Sequence, residues 1–379
     1  MPEKVSILFP IPTDKKDAPL VAMTRQGIET QSYPTTLTEI IEVQYVSTAP
    51  GAHAAALNAA KEAATGTYVV HSALGVQWDT SKLERQVAHL ETCPESISSI
   101  HHVTLQAETG QTQKYQCHTI KNYGGKIGSL LESPWAPGTT MLTKEASNQL
   151  GAHRNIDQTL WEYALRQINR QQTPLILEED LAIWRTESQN ITSSLVVSQL
   201  QHRFLKPYID KIDTSTLFSE HTLISDIHGH LVRNALYQKN DDLDAAHQIC
   251  QWVGESSSLP EISYWHGIIH RREPDIHNAR NWFQKAQGLA ANDVLYQAIY
   301  SHLQRAIQIP NYGEARDTAY QFRQHLQNHG TWDALYFLNL CELYLQNKDP
   351  NLQKLLEDIQ AIEFKTLFHW TFQKALGQI

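Results

Sequence analysis

The run from Gly51 to Leu90 constrains this chain most. Its first part is dominated by alanine, the strongest intrinsic helix former, and Gly66 stops it. Thr67-Tyr-Val-Val70 follows, β-branched and aromatic, as suits a short buried strand. After a loop, Ser81 opens a second amphipathic helix. Helix, strand and helix in this order make an α/β crossover, which commits the N-terminal half to a sheet flanked by helices.

The flanking segments fit that frame. Lys4 to Phe9 is a continuous apolar strand ending at Pro10-Ile-Pro12, as expected of a doubly covered strand in a parallel sheet. A helix is predicted from about Ala18 to Gln31 and a strand over Glu39–Val43. Alternation over Ile97–Gln106 and Gln113–Ile120 predicts a strand pair around a turn at Glu108–Gly110. Tyr123–Gly128 reads as a glycine-rich loop without the Gly-Lys-Ser/Thr ending of a P-loop. Gly138 to Ala146 reads as strand then helix, Asp157 to Arg170 as a helix, and Pro174–Leu177 and Leu181–Arg185 as closing strands.

Asn58, Ala64-Thr65-Gly66, Tyr68, Trp78 and the run Lys82-Leu83-Glu84-Arg85-Gln86 together resemble glycosyltransferase family 2, the inverting enzymes of the GT-A fold. Gln31-Ser-Tyr33-Pro34 ahead of Glu39–Val43, Leu150-Gly151 and Trp184-Arg185 extend the resemblance over roughly residues 4 to 186. It implies a GT-A-like α/β domain, a mostly parallel sheet flanked by helices, over residues 1–188. In active members an Asp-x-Asp after the strand holds the divalent metal that neutralises the nucleotide diphosphate. Counting back from Trp78, those positions are Ala73 and Gly75, with Val76 next, and none of them is a ligand.

Two further donor-side positions depart from the family. Its Asp-Asp-Gly-Ser is here Gln44-Tyr45-Val46-Ser47, and the arginine before the helix asparagine is Leu57. Gln44 can still hydrogen-bond a base as a neutral amide and Tyr45 can stack on one. With Asn58 and His71, these are the donor-binding candidates the resemblance implies. The family's Glu-Asp-x-Asp-Leu-Trp reads Ile156-Asp157-Gln158-Thr159-Leu160-Trp161, which makes Asp157 the candidate base for deprotonating an acceptor hydroxyl. Capping the following helix is the other reading of that carboxylate.

Beyond a polar linker near Thr186–Ser194, helical periods take over, and residues 195–379 read as an all-α helical-repeat domain. Ala246, Ala279 and Ala315 recur near the tetratricopeptide interval, and Gly267, Ala279, Phe283 and Ala286 follow its small-small-aromatic-small spacing. Such a stack offers a concave surface for a protein partner. His266, His270, Arg271 and Arg272 form the candidate partner-binding patch, with an inter-helix hydrogen-bond and salt-bridge network as the alternative. His266 and His270 have a metal-compatible spacing, but the motif lacks the internal glutamate of a zinc-protease helix, so no metal site is assigned.

A net charge of −9 leaves no basic surplus for a phosphate backbone, which excludes nucleic acid as the expected partner. The 4 cysteines are scattered, without disulfide-framework or zinc spacing, as expected of a cytoplasmic protein. No apolar run is long enough to be a transmembrane segment. The expected protein is a degenerate family 2-like transferase, a carbohydrate- or nucleotide-binding or scaffold module without a cofactor, whose helical half binds a protein partner. The alternative is an active inverting transferase using a nucleotide-sugar and Mn or Mg, with a polysaccharide, lipid or protein acceptor.

Overall fold

Strand β1 (Val5–Pro12) is buried along all 8 residues because it lies between β2 (Thr38–Tyr45) and β3 (Tyr68–His71), parallel to both. In this computed structural model, which describes residues 3–106, 112–115, 118–156, 158–185, 203–308 and 312–379, β1 anchors the first of two units, Met1–Gln189 and Asn190–Ile379. Ser72 N donates to Leu8 O and Thr13 N to Tyr45 O. That register turns the missing donors of Pro10 and Pro12 to the β3 side, past the end of β3, where no ladder bond is lost.

The sheet continues through β4 (Val76–Trp78), β5 (Ser98–Gln106), β6 (Thr112–Tyr115), β7 (Met141–Thr143) and β8 (Leu175–Arg185). Its order is β2-β1-β3-β7-β5-β8-β4, with β6 on β5. It is parallel around β1 and mixed beyond, since β7 runs antiparallel to β3 and β5 while β8 is parallel to β5 and antiparallel to β4. Helices α1 (Ala18–Glu29), α2 (Ala52–Ala63), α3 (Lys82–Thr92), α4 (His118–Tyr123), α5 (Gly125–Leu131), α6 (Lys144–Leu150) and α7 (Thr159–Asn169) flank it.

Alternation along β1 splits the core. Val5, Ile7, Phe9 and Ile11 join Val70, Trp78 and Leu83, whereas Leu8 and Val69 meet Leu57, Ala60 and Ala64 at the alanine-rich helix. Gly66 is required where the chain re-enters the sheet, because a Cβ there would lie 2.7 Å from Lys4 O.

Three local expectations change. Of the described residues in Gln113–Ile120, 113–115 are strand and His118 already opens α4; residues 116–117 and the turn at Glu108–Gly110 lie outside the described residues. The glycine-rich stretch is helical from Gly125, with Gly125 and Gly128 buried, while Gly124 at φ +80° makes the break between α4 and α5. Pro174–Leu177 and Leu181–Arg185 belong to one strand, whose register slips opposite His101 to Thr104 and so admits the acidic Glu178-Glu179-Asp180 without ending the strand.

The second unit is helical: α8 (Lys206–Lys211), α9 (Thr214–Leu217), α10 (Asp226–Lys239), α11 (Leu243–Ser256), α12 (Pro260–Arg272), α13 (Ile276–Lys285), α14 (Asn292–Ala306), α15 (Ala315–His329), α16 (Ala334–Asn347) and α17 (Pro350–Ala375). The pairs α10/α11 and α12/α13 are built alike. Asp242 and Asp275 cap the second helix of each, accepting from Ala245 N and Asn278 N, and Ala246 and Ala279 are fully buried. A Cβ on Gly267 would meet the Phe283 ring at 2.8 Å, so glycine sets the approach of α12 to α13. The long α17 packs against α10, α14 and α15 and hydrogen-bonds α12. Its buried Leu355, Ile359, Leu367, Phe368 and Phe372 draw it inside.

Candidate functional site

Open α/β sheets bind ligands at the carboxyl ends of their parallel strands. There, at the ends of β1, β2 and β3, lies a cavity of about 170 Å³ lined by Pro10, Tyr45, His53, Ala73, Leu74, Pro137, Gln158, Thr159 and Leu160. β2 delivers Tyr45, and the first turn of α2 delivers His53, stacked on it at 5.3 Å and 30°. Burial raises the Tyr45 pKa, with Asp17 adding to the rise, and lowers that of His53. Among the described lining residues none is a carboxylate.

The family's donor metal does not fit this wall. Ala73 offers a methyl group and packs beside the core, and its carbonyl accepts from Thr24 Oγ1 at 3.3 Å. Gly75 has φ +78°, its N–H donates to Thr24 Oγ1, and its carbonyl accepts from Arg185 N. A Cβ at Gly75 would lie 2.9 Å from Arg185 O, so a carboxylate cannot stand there without moving β8.

Of the four donor-binding candidates, Tyr45 alone lines the cavity. Gln44 is exposed on the edge strand. Asn58 is engaged elsewhere: its Nδ2 donates to His153 O at 2.9 Å and its Oδ1 accepts from His153 N at 2.7 Å. It pins the loop after α6 and has no amide end aimed at a donor. His71 turns inward, 2% exposed, with Nε2 3.2 Å from His153 Nε2 and its ring edge-on to Tyr163, on which His153 stacks at 4.2 Å. Burial first, then the positive field of Lys61, lowers His71 to about 3, and burial likewise depresses His153. Both rings are therefore neutral. Asp157 lies outside the described residues; its neighbours Gln158 and Thr159 line the cavity.

His53 and His153 escaped the sequence reading. His153 has a trace in it, since the motif asparagine is its hydrogen-bond partner, but the two stand 95 residues apart.

In the helical unit, Arg271 and Arg272 are each 2% exposed and paired inside it. Arg271 bonds Glu363 of α17, whose Oε1 also accepts from Tyr264 Oη at 2.6 Å, and Arg272 pairs with Asp241. Both guanidiniums therefore sit in an inter-helix network, and neither reaches the surface. His266 and His270 instead line a groove of about 960 Å³ along α11, α12 and α13.

No family model and no curated protein sequence matches the chain. Among solved structures it is similar to TarS of S. aureus, at 11% identity and a TM-score of 0.46, over 74% of this chain and 55% of TarS. The chain thus spans about half of that protein. Against TarS 1-349 in complex with UDP-GlcNAc, identity is 14% and the TM-score 0.46, over 74% and 90% of the two chains. Against the mannosyltransferase PcManGT of Pyrobaculum calidifontis in complex with GDP-Man and Mn2+, the values are 14% and 0.42, over 76% and 84%.

Proposed function

We propose that residues 1–188 form a glycosyltransferase family 2-like domain that has lost metal-assisted donor chemistry and serves as a carbohydrate- or nucleotide-binding or scaffold module. Residues 195–379 are, in this reading, a tetratricopeptide-like domain that carries a protein partner in the cytoplasm. The cavity at the strand ends supports the first part most directly. At about 170 Å³ it falls below the ~300–1,000 Å³ of ordinary ligand pockets, and its described wall has no carboxylate to hold a cation. A diphosphate leaving group facing that wall would forgo several kcal/mol of transition-state stabilisation. What remains is the stacked pair Tyr45 and His53, a flat surface for a base or sugar ring.

Calorimetric titration with UDP, GDP and their sugars, with and without manganese, tests the proposal. Weak binding that manganese leaves unchanged, and that Tyr45→Ala removes, is expected. Tight manganese-dependent binding would overturn it. The second reading, an active inverting transferase with Asp157 as base, draws on Gln158 and Thr159 lining the cavity. It requires sugar transfer or donor hydrolysis by the wild type that Asp157→Asn abolishes.

A further inference from the structure

Three histidines converge in the helical unit. His266 and His270 lie one turn apart on α12, and α11 brings the His247 ring to 4.5 Å from the first and 5.1 Å from the second. One ligand-capable atom from each lies within 4.8 Å of the others. His266 is 2% exposed, yet neither of its ring nitrogens has a hydrogen-bond partner. Burying a polar ring with both nitrogens unmatched is costly, and native structures seldom do so without a reason. Trp282 stacks on it at 3.8 Å, which fixes the plane of the imidazole without satisfying it.

His270 is already set as a ligand. Its Nδ1 lies 3.0 Å from Glu273 Oε2, while Asn278 Nδ2 sits 3.1 Å from its Nε2. An amide donating to Nε2 and a carboxylate accepting from Nδ1 select the tautomer whose Nε2 carries the lone pair. A carboxylate behind the far nitrogen is the arrangement that orients metal-bound histidines. The three rings line the groove beside Ser263 and Lys285.

We propose that His247, His266 and His270 bind a divalent transition-metal ion of the zinc type, through three imidazoles, with a fourth coordination position open to the groove. Three imidazoles suit zinc and its softer neighbours and not magnesium or calcium, which prefer oxygen. Three protein ligands with one open position is the pattern of sites that bind water or an exchangeable anion. On binding, the ion takes the His270 lone pair and the Asn278 amide swings aside. The unit's other cluster, His325, His329 and Asp333, is more exposed, and His325 Nε2 already has Asp333 at 2.8 Å.

The test uses the full chain, stripped with a chelator, dialysed, and titrated with zinc by calorimetry and with cobalt(II) by visible absorption. One zinc per chain is expected, together with the intense visible bands of tetrahedral cobalt, which zinc then bleaches. His247 is half-buried, so His247→Ala should keep the far-ultraviolet dichroism of the wild type and lose both signals. Glu273→Gln should weaken zinc about 10–100-fold, and His325→Ala should change nothing. Absence of stoichiometric uptake, a weak octahedral cobalt spectrum, or binding that survives His247→Ala and disappears with His325→Ala overturns the proposal. Should His247→Ala misfold, the wild-type cobalt spectrum and Glu273→Gln decide it.

Discussion

The two units bury basic side chains in opposite ways. In the α/β unit Lys82 is fully buried, donating to Gln86 Oε1 at 2.6 Å and lying 4.1 Å from the Trp78 ring. Burial pushes its pKa well below the usual lysine value, so the amine gives up its proton more readily than an exposed lysine does. In the helical unit Arg271 and Arg272 are as deeply buried, and each has its own carboxylate. Arginine cannot escape its charge by losing a proton, whereas lysine can. A fold that buries arginine must therefore bury an acid with it. That requirement ties α12 to α17, 92 residues away, and the end of α12 to the turn after α10.

Removing one partner of such a pair probes the contrast with the largest expected effect. Glu363→Ala strands the Arg271 guanidinium and frees Tyr264 from its acceptor. A loss of about 3–5 kcal/mol in urea unfolding is expected, with faster hydrogen exchange in α12 and α17. The double variant Arg271→Met with Glu363→Leu should recover most of it, because an apolar pair leaves no charge behind. A single variant costing under ~1 kcal/mol would mean that water reaches this charge and that the contrast is false.

A smaller effect sharpens the same comparison by asking whether shape, as well as charge, specifies the helical interior. Ala279 is 0% exposed on α13, whose Phe283 stands against Gly267 of α12. Ala279→Leu should overpack that joint and cost about 1–3 kcal/mol, lowering the thermal midpoint. An unchanged midpoint would show that α12 and α13 can part, which leaves the ion pairs as the main determinant of their placement.

What the sequence made legible follows from the range of the interactions. The α2–β3–α3 crossover, the all-buried β1 and the Gly267–Phe283 contact are written in local periods and small residues. Alternation misplaced the ends of β6 and split β8 because a bulge looks like a turn when its residues are acidic. The absence of carboxylates at this wall was visible as Ala73 and Gly75, but the reason a carboxylate cannot stand at Gly75 lies in β8. For Arg271 the sequence left a partner-binding patch and an inter-helix network both open, because Glu363 lies far along the chain. The third histidine, His247, stayed hidden because it comes from a different helix.

The last prediction concerns Lys82, a fully buried residue of the Lys-Leu-Glu-Arg-Gln run. Its folded pKa lies below the unfolded value of 10.5, so between the two the unfolded chain holds a proton that the folded chain refuses. Stability from this group therefore rises with pH across that window, by up to about 1.4 kcal/mol per unit, and is lost as pH falls toward the depressed folded pKa. Below that pKa the lysine is charged in both states and the slope disappears. Lys82→Met removes the titrating group while leaving the other groups in place, so those largely cancel when the two proteins are compared. Urea unfolding at a series of pH values below 10.5 should show the wild type gaining on Lys82→Met as pH rises through the window between the folded and unfolded pKa. If the two curves run parallel, Lys82 keeps its charge inside the α/β unit, and lysine and arginine are buried here by the same means.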